Sequence, residues 1–296
     1  MSRKAAHNVF LAKPEKGRLW IFLAGLFFSL AVSVLYIYPP YFFRSMDQKL
    51  YDALLRSTHR EVSSNLPVIV GIDEKSLSQV GQWPWPRYRI AFLLEKIKQA
   101  GALTIALDMV FPEEDRTSLS VLQKEIARDF KGRGDFRIFP GMPLDNDAEL
   151  ARILSQGPFV LGFKFLFHQE NPPHRECRLH PLPVVVLEEP GSAREKPSLV
   201  KAQEVVCNLK VLSDASPASG FFNVMPDSDG IIRKIPVLIE YAGRVYPNLA
   251  LAAYIQATGN KQVALKVNSN GMESLRLGDT LVPVDAQGNM LIRYRG

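Results

Sequence analysis

Three regimes of hydrophobic and polar spacing follow one another along this chain. From Leu19 to Tyr38 the run LWIFLAGLFFSLAVSVLYIY carries no charge and no polar face. As an α-helix it rises about 30 Å, the thickness of a bilayer's hydrocarbon core, so residues 19–38 are predicted to span a membrane. Trp20 at one end and Tyr36, Tyr38 and Tyr41 at the other stand where interfacial aromatics belong, and Pro39-Pro40 stops the helix. Next, Phe43, Met46, Leu50 and Leu54 recur at steps of three and four, with Asp47, Lys49, Asp52 and Arg56 off that stripe. Residues 41–60 therefore read as an amphipathic juxtamembrane helix. Its stripe either packs on the following domain or joins a second copy in a parallel stalk.

The third regime, residues 61–296, alternates strand and helix signals. LPVIVGID (66–73) is a β-branched run that suits a strand covered on both faces. Ile90, Leu93, Leu94, Ile97 and Ala100 follow at helical spacing up to Gly101, and LTIALDMVF repeats the strand signature. Strand, helix and strand at this spacing make a βαβ unit with a parallel sheet. After a charged insertion at 112–143 holding one short helical stretch, SLSVLQKEIARDF, a helix from Asp145 to Ser155 and a strand from Pro158 to Phe167 complete a βαβαβ half, with Asp145 as N-cap. The proline-rich stretch after Phe167 has no sustained period and reads as loop. Two apolar strands then flank the turn residues Pro226 to Gly230, with Asn223 bracing that turn. Ala242-Gly243 makes a tight turn before a helix from Pro247, and four short strand-like pieces (VALKV, ESLRL, TLVPV, MLIRY) form an antiparallel extension. The expected fold is α/β: one transmembrane helix, then a three-layer domain with a βαβαβ parallel core.

Composition adds direction. With 47% hydrophobic and 22% charged residues, the 296-residue chain is an ordinary folded protein. Its net charge of +6 is concentrated before the apolar run, where Arg3, Lys4, Lys13, Lys16 and Arg18 face Glu15 alone. The positive-inside rule leaves residues 1–18 in the cytoplasm and everything after Tyr38 outside. Since those charges belong to the membrane flank, no nucleic-acid partner is expected. A cleaved secretory signal would share this charge order, but the apolar run is longer than such signals carry and PPYFFRSM follows it, favouring an uncleaved anchor.

LYDALLR (50–56), VIVGIDEKSL (68–77), GQWPWPR (81–87), AGALTIALDMVF (100–111), DAELARIL (147–154), GFFNVMPDSDGIIRKIPVL (220–238) and YPNLALAAY (246–254) appear in this order along the chain. Together, from Met46 to Gly296, they resemble the second type of CHASE sensory domain. The most specific pieces are the Trp-Pro-Trp-Pro-Arg run and the Asn-x-x-x-Asp-x-Asp-Gly turn. The resemblance implies a ligand- or stress-sensing input domain outside the bacterial cytoplasmic membrane, ordinarily followed by membrane helices and a cytoplasmic cyclase or kinase. Here the sequence stops at MLIRYRG, where a further membrane helix would be expected. That favours a fragment over a receptor whose output lies on another chain. A homodimer, the bilayer and an unknown small-molecule or envelope stimulus are the expected partners.

Candidate chemistry is sparse. Asp73, Glu74 and Asp108 would stand at the carboxyl ends of adjacent parallel strands, where open α/β sheets place ligands and hard cations. The simpler reading of these acids is strand-end capping or a salt bridge. Trp83 and Trp85, alternating with prolines, would wall a pocket at the same edge, with Arg87 gripping a carboxylate or phosphate; alternatively the indoles lid the core and Arg87 pairs with an acid. Taken as a ligand site, the set is Asp73, Trp83, Trp85, Arg87 and Asp108. The turn Asp227-Ser228-Asp229-Gly230 lacks the glycine position and distal glutamate of a calcium loop, so a hairpin or bulged turn is expected. Cys177 and Cys207 form a disulfide, remain thiols, or join His168, His174 and His180 around zinc; the bridge is favoured outside the membrane. No catalytic residue, metal or cofactor is assigned. The alternatives to a sensor are a metal-dependent hydrolase using Asp73, Glu74 and Asp108, and a structural envelope protein.

Overall fold

A computed structural model describes residues 15–38, 40–57, 67–129, 145–168, 176–188, 199–268 and 271–294. Residues 58–60 of the expected juxtamembrane helix, Leu66, the insertion beyond Asp129 and His174 lie outside them. The chain divides into two compact units, Met1–Ser64 with Arg293–Gly296, and Asn65–Ile292.

The first unit is helical. Helix α1 (Glu15–Ile37) contains a 21-residue stretch, Gly17–Ile37, long and apolar enough to cross a membrane, with a mean hydropathy of 2.2. Helix α2 (Tyr41–Ser57) leaves its apolar stripe open: Phe42, Phe43, Met46 and Leu50 are all exposed, whereas Ser45, Gln48 and Tyr51 are half-buried.

The second unit is built around a parallel sheet. It begins with α3 (Glu74–Val80), α4 (Arg87–Gln99), β1 (Ile105–Leu107), α5 (Leu119–Asp129), α6 (Asn146–Leu154) and β2 (Phe159–Leu166). Next come β3 (Val184–Glu188), β4 (Val200–Lys201), β5 (Glu204–Val206), α7 (Lys210–Ala215) and β6 (Ala218–Phe221). The remainder is β7 (Lys234–Pro236), β8 (Leu238–Tyr241), β9 (Arg244–Pro247), α8 (Leu249–Thr258), β10 (Val263–Asn268), β11 (Gly271–Leu277), β12 (Thr280–Pro283) and β13 (Asn289–Leu291).

Strand β2 is the hub. It is buried along almost its whole length, as a strand covered on both faces must be. It pairs in parallel with β1 on one side and β6 on the other, and antiparallel with β5 through Lys164–Leu166. Ile90 and Leu94 of α4, Leu150 and Leu154 of α6 and Leu212 of α7 meet Phe159 and Leu161 in one core cluster. On the other face Gly162 and Gly220 are register partners. A Cβ on Gly220 would stand 2.7 Å from Leu249 Cα, and one on Gly162 would stand 2.5 Å from the Leu107 carbonyl oxygen. The two glycines thus admit α8 and hold β1 close, giving helices on both faces and three layers. Phe163, Phe165, Phe221 and Tyr246 continue the core as an aromatic cluster.

Local signals account for most ends. Asp145 accepts hydrogen bonds from the Asp147 and Ala148 amides to start α6. Asn248 accepts from the Leu251 amide to start α8, one residue after Pro247 has closed β9. Ala242 and Gly243 take φ of 49° and 73°, the paired left-handed residues of a two-residue hairpin turn between β8 and β9.

Four expectations are corrected. Residues 67–73 are not a strand: among the described residues no strand pairs with them, and Val68, Ile69 and Val70 are 79%, 94% and 54% exposed. A β-branched run shows that a segment suits a ladder, not that it occupies one, and here Asp73 has been recruited to cap α3. The third parallel strand is β6 instead. The proline-rich stretch holds β3, which pairs in parallel with β10, so the tail sheet β12-β11-β10-β3 is mixed rather than purely antiparallel. The strands flanking the 226–230 turn do not form a hairpin, because β6 pairs with β2 and β7 with β13. Lastly, Asn223 does not brace that turn: its side-chain amide exchanges two hydrogen bonds with the Phe165 backbone, extending the β2 ladder past the end of β6.

Candidate functional site

The Trp-Pro-Trp-Pro-Arg run connects α3 to α4. Gly81 ends α3 at φ 112°, a conformation open to glycine, and its carbonyl accepts the Trp85 indole N–H at 2.7 Å. The Trp83-Pro84 peptide is cis. Trp85 is 7% exposed and belongs to the core, while Trp83, its ring centroid 6.2 Å away, is 42% exposed.

Arg87 then opens α4 and is buried rather than presented to solvent. Its backbone amide donates to Asp115 Oδ2 at 2.7 Å, so a carboxylate from a distant loop caps the helix. The guanidinium lies over the Phe111 ring at 4.4 Å, donates to the Glu113 carbonyl at 3.4 Å and faces Asp147 Oδ1 at 3.4 Å. Asp147 in turn accepts the Asp115 backbone amide at 2.7 Å, and the Asn146 side-chain Nδ2 donates to Asp115 and Thr117. This network ties α4, the 111–118 loop and α6 together. Burial pushes the Asp147 carboxyl above its ordinary pKa, against the Asp115 amide and the Arg87 charge that favour its ionised form. Burial opposes ionisation of Asp115 too, but amide donors from Arg87 and Thr117 outweigh it and hold that carboxyl below the usual range.

The outer side of α4 is the open surface. A cleft of about 1040 Å³ lies between α4 and the extended segment before α3, walled by Val70, Gly71 and Ile72 opposite Tyr88, Phe92 and Leu93, with Trp85 and Ile153 among its other apolar walls. Its charged rim is Arg89, Glu95, Lys96 and Glu149. Arg89 donates to the Val80 carbonyl, Lys96 stands 5.2 Å from the Phe92 ring centroid, and Glu149 is clamped by Arg152 through two hydrogen bonds. An apolar body with few fixed charges at its edge suits a small molecule carrying aromatic or aliphatic bulk.

The sequence-derived candidates are thereby dispersed. Of Asp73, Trp83, Trp85, Arg87 and Asp108, only Trp85 lines the cleft. Asp73 and Asp108 are not at the ends of adjacent strands: Asp73 caps α3, accepting from the Ser76 amide and hydroxyl, and Asp108 is exposed beyond β1. The Ser76 hydroxyl, then its amide, hold the Asp73 carboxyl below its usual pKa. The cleft residues Tyr88 and Phe92 were legible only as two aromatics, four positions apart, off the Ile90–Leu94–Ile97 stripe. Cys177 and Cys207 are joined by a disulfide. The His180 amide donates to the Ser219 hydroxyl, and among the described residues no three His, Cys, Asp or Glu side chains group as metal ligands. Arg233 closes the acidic turn, its guanidinium 2.9 Å from Asp227 and 2.7 Å from Asp229.

Compared with known families, residues 25–296 match the CHASE2 domain. The chain belongs to the CHASE2 family. CHASE2 domains are extracellular sensory domains, so the α/β unit is a sensory domain and the apolar helix fits a membrane anchor. No curated protein and no solved structure gives a significant match.

Proposed function

We propose that this CHASE2 chain is the sensory input region of a bacterial signal-transduction receptor in the cytoplasmic membrane, its N-terminus inside and its α/β domain outside. A small molecule from the envelope enters the cleft on α4. The change in packing passes through α2 into α1 and on to a cyclase or kinase output, on the same chain or another, within a homodimer. Coupling of about 1–3 kcal/mol between the cleft and the helix suffices for such a relay.

The observation that supports this reading is the cleft itself, an apolar cavity of about 1040 Å³ beside a buried ionic network that fixes the start of α4. Filling the cleft bears on α4, and α4 is locked to α6 and the 111–118 loop, so the domain responds as a unit. The test is a thermal-shift screen of small aromatic and aliphatic acids, amines and alcohols on the full chain in lipid nanodiscs. Hits should raise the transition temperature of the parent chain and lose that effect in Phe92→Arg, which places a charge in the cleft. Equal stabilisation of both chains would move the ligand site elsewhere.

A further inference from the structure

We infer that residues 68–72, undocked in the fold described above, also add as a strand to the free edge of β1, and that docking removes one wall of the cleft, so that a bound ligand and a docked strand exclude each other. The gating half of this inference rests on the cleft being the ligand site; the docking half does not.

Strand β1 is an edge strand, pairing among the described residues only with β2. The Ile105 amide donates to the Pro158 carbonyl on the β2 side. Backbone groups alternate along a strand, so the N–H and C=O of Ala106 point to the open side, and Ala106 itself is exposed. An unpaired edge of this kind is a template for another strand.

The segment that fits it is tethered to the same core. Residues 68–72 read Val-Ile-Val-Gly-Ile, the apolar, β-branched composition of a ladder strand. Pro67 precedes them, a residue tolerated at the first position of a strand, and the backbone is extended at Asp73, with φ −98° and ψ 176°. Ile72 already packs against the core cluster that contains Ile105 and Leu107. From Asp73 the chain runs through α3 and α4 and returns as β1, so docking completes a parallel βαβ unit, with the intervening helices as its crossover. In a ladder, residues two apart share a face, so Val70 and Ile72 leave the cleft wall together. The undocked state has a cleft and three exposed β-branched side chains. The docked state has a four-strand parallel order and no such wall. A ligand that occupies the cleft stabilises the first and shifts the population toward it.

Residue-resolved hydrogen exchange on the full chain in nanodiscs tests this, comparing the parent with Val70→Pro, which cannot donate to a ladder. Docking predicts that the Ala106 and Val70 amides of the parent exchange at least about tenfold more slowly than open chain, and that Ala106 loses this protection in Val70→Pro while the Phe163 amide of β2 keeps its own. Ala106 exchanging as open chain in the parent, or equally protected in both chains, overturns the docking. The gate is read by adding anilinonaphthalene sulfonate as the cleft probe. Binding that depends on Phe92, together with a loss of Ala106 protection of about threefold or more, supports the exclusion. Phe92-dependent binding that leaves Ala106 protected overturns the gate and spares the cleft. Dye binding indifferent to Phe92→Arg, with strand-dependent protection intact, removes the cleft reading and leaves the docking standing.

Discussion

At the scale of single residues, Arg87 shows how far chemistry can be read from type and position. Its place at the end of the tryptophan-proline run marks it as important, and the buried network shows why: it neutralises Asp147 while its own amide is capped by Asp115. Arg87→Ala leaves a carboxylate buried without its cation and should cost about 3–5 kcal/mol in urea unfolding of the full chain. Arg87→Lys should recover little of that, because an ammonium cannot lie flat on Phe111 and reach Asp147 and the Glu113 carbonyl together. The acidic turn behaves oppositely with pH. Arg233 hydrogen bonds hold the Asp229 carboxyl down to about 2. A folded pKa below the unfolded value of about 3.9 means that the stabilisation is complete above roughly pH 4 and is lost as the pH falls toward 2. Carbonyl NMR should place the Asp229 midpoint near 2 and, in Arg233→Gln, return it to the ordinary aspartate range. That Asp227 and Asp229 end up paired with Arg233 was not legible beforehand, since a DSDG run specifies a turn but not which cation closes it.

Among elements, the sequence was most informative where a local rule acts alone. Asp145 before an apolar period and Ala242-Gly243 between strands each did what their chemistry requires. Strand partners were less legible, because pairing depends on edges supplied from far along the chain. The Val-Ile-Val run at 68–70 advertises a strand and pairs with none among the described residues, whereas β3, hidden among Pro181, Pro183 and Pro190, finds β10. The cleft was illegible for the same reason, since its walls come from an unpaired segment and the outer face of α4. The paired glycines were equally invisible, yet they set how closely β1 and α8 approach the hub strand. Gly220→Ala should destabilise the domain by about 1–3 kcal/mol in thermal or urea unfolding, because the added methyl meets backbone atoms of Asn248 and Leu249 that have little room to move. Ala242→Asn should add a few tenths of a kcal/mol to about 1 kcal/mol, as asparagine accepts positive φ more readily than alanine does.

For the whole molecule, membership of the CHASE2 family and the exposed stripe of α2 bear on assembly. A proposed homodimer through Phe43, Met46 and Leu50 predicts that Met46→Asp with Leu50→Asp shifts the full chain from two copies per nanodisc to one by mass photometry; a parent that is already single would count against it. The bridge between Cys177 and Cys207, 30 residues apart, works on a different axis. Closing a loop of that length removes about 3–4 kcal/mol of freedom from the unfolded chain, a few hundredfold in the folded-to-unfolded ratio. For anyone preparing the protein, the cellular address at which it is made therefore becomes a variable of the experiment. Material exported to an oxidising compartment should be recovered folded, while the same chain retained in a reducing cytosol, or made as Cys177→Ser with Cys207→Ser, should yield chiefly aggregate and protease fragments.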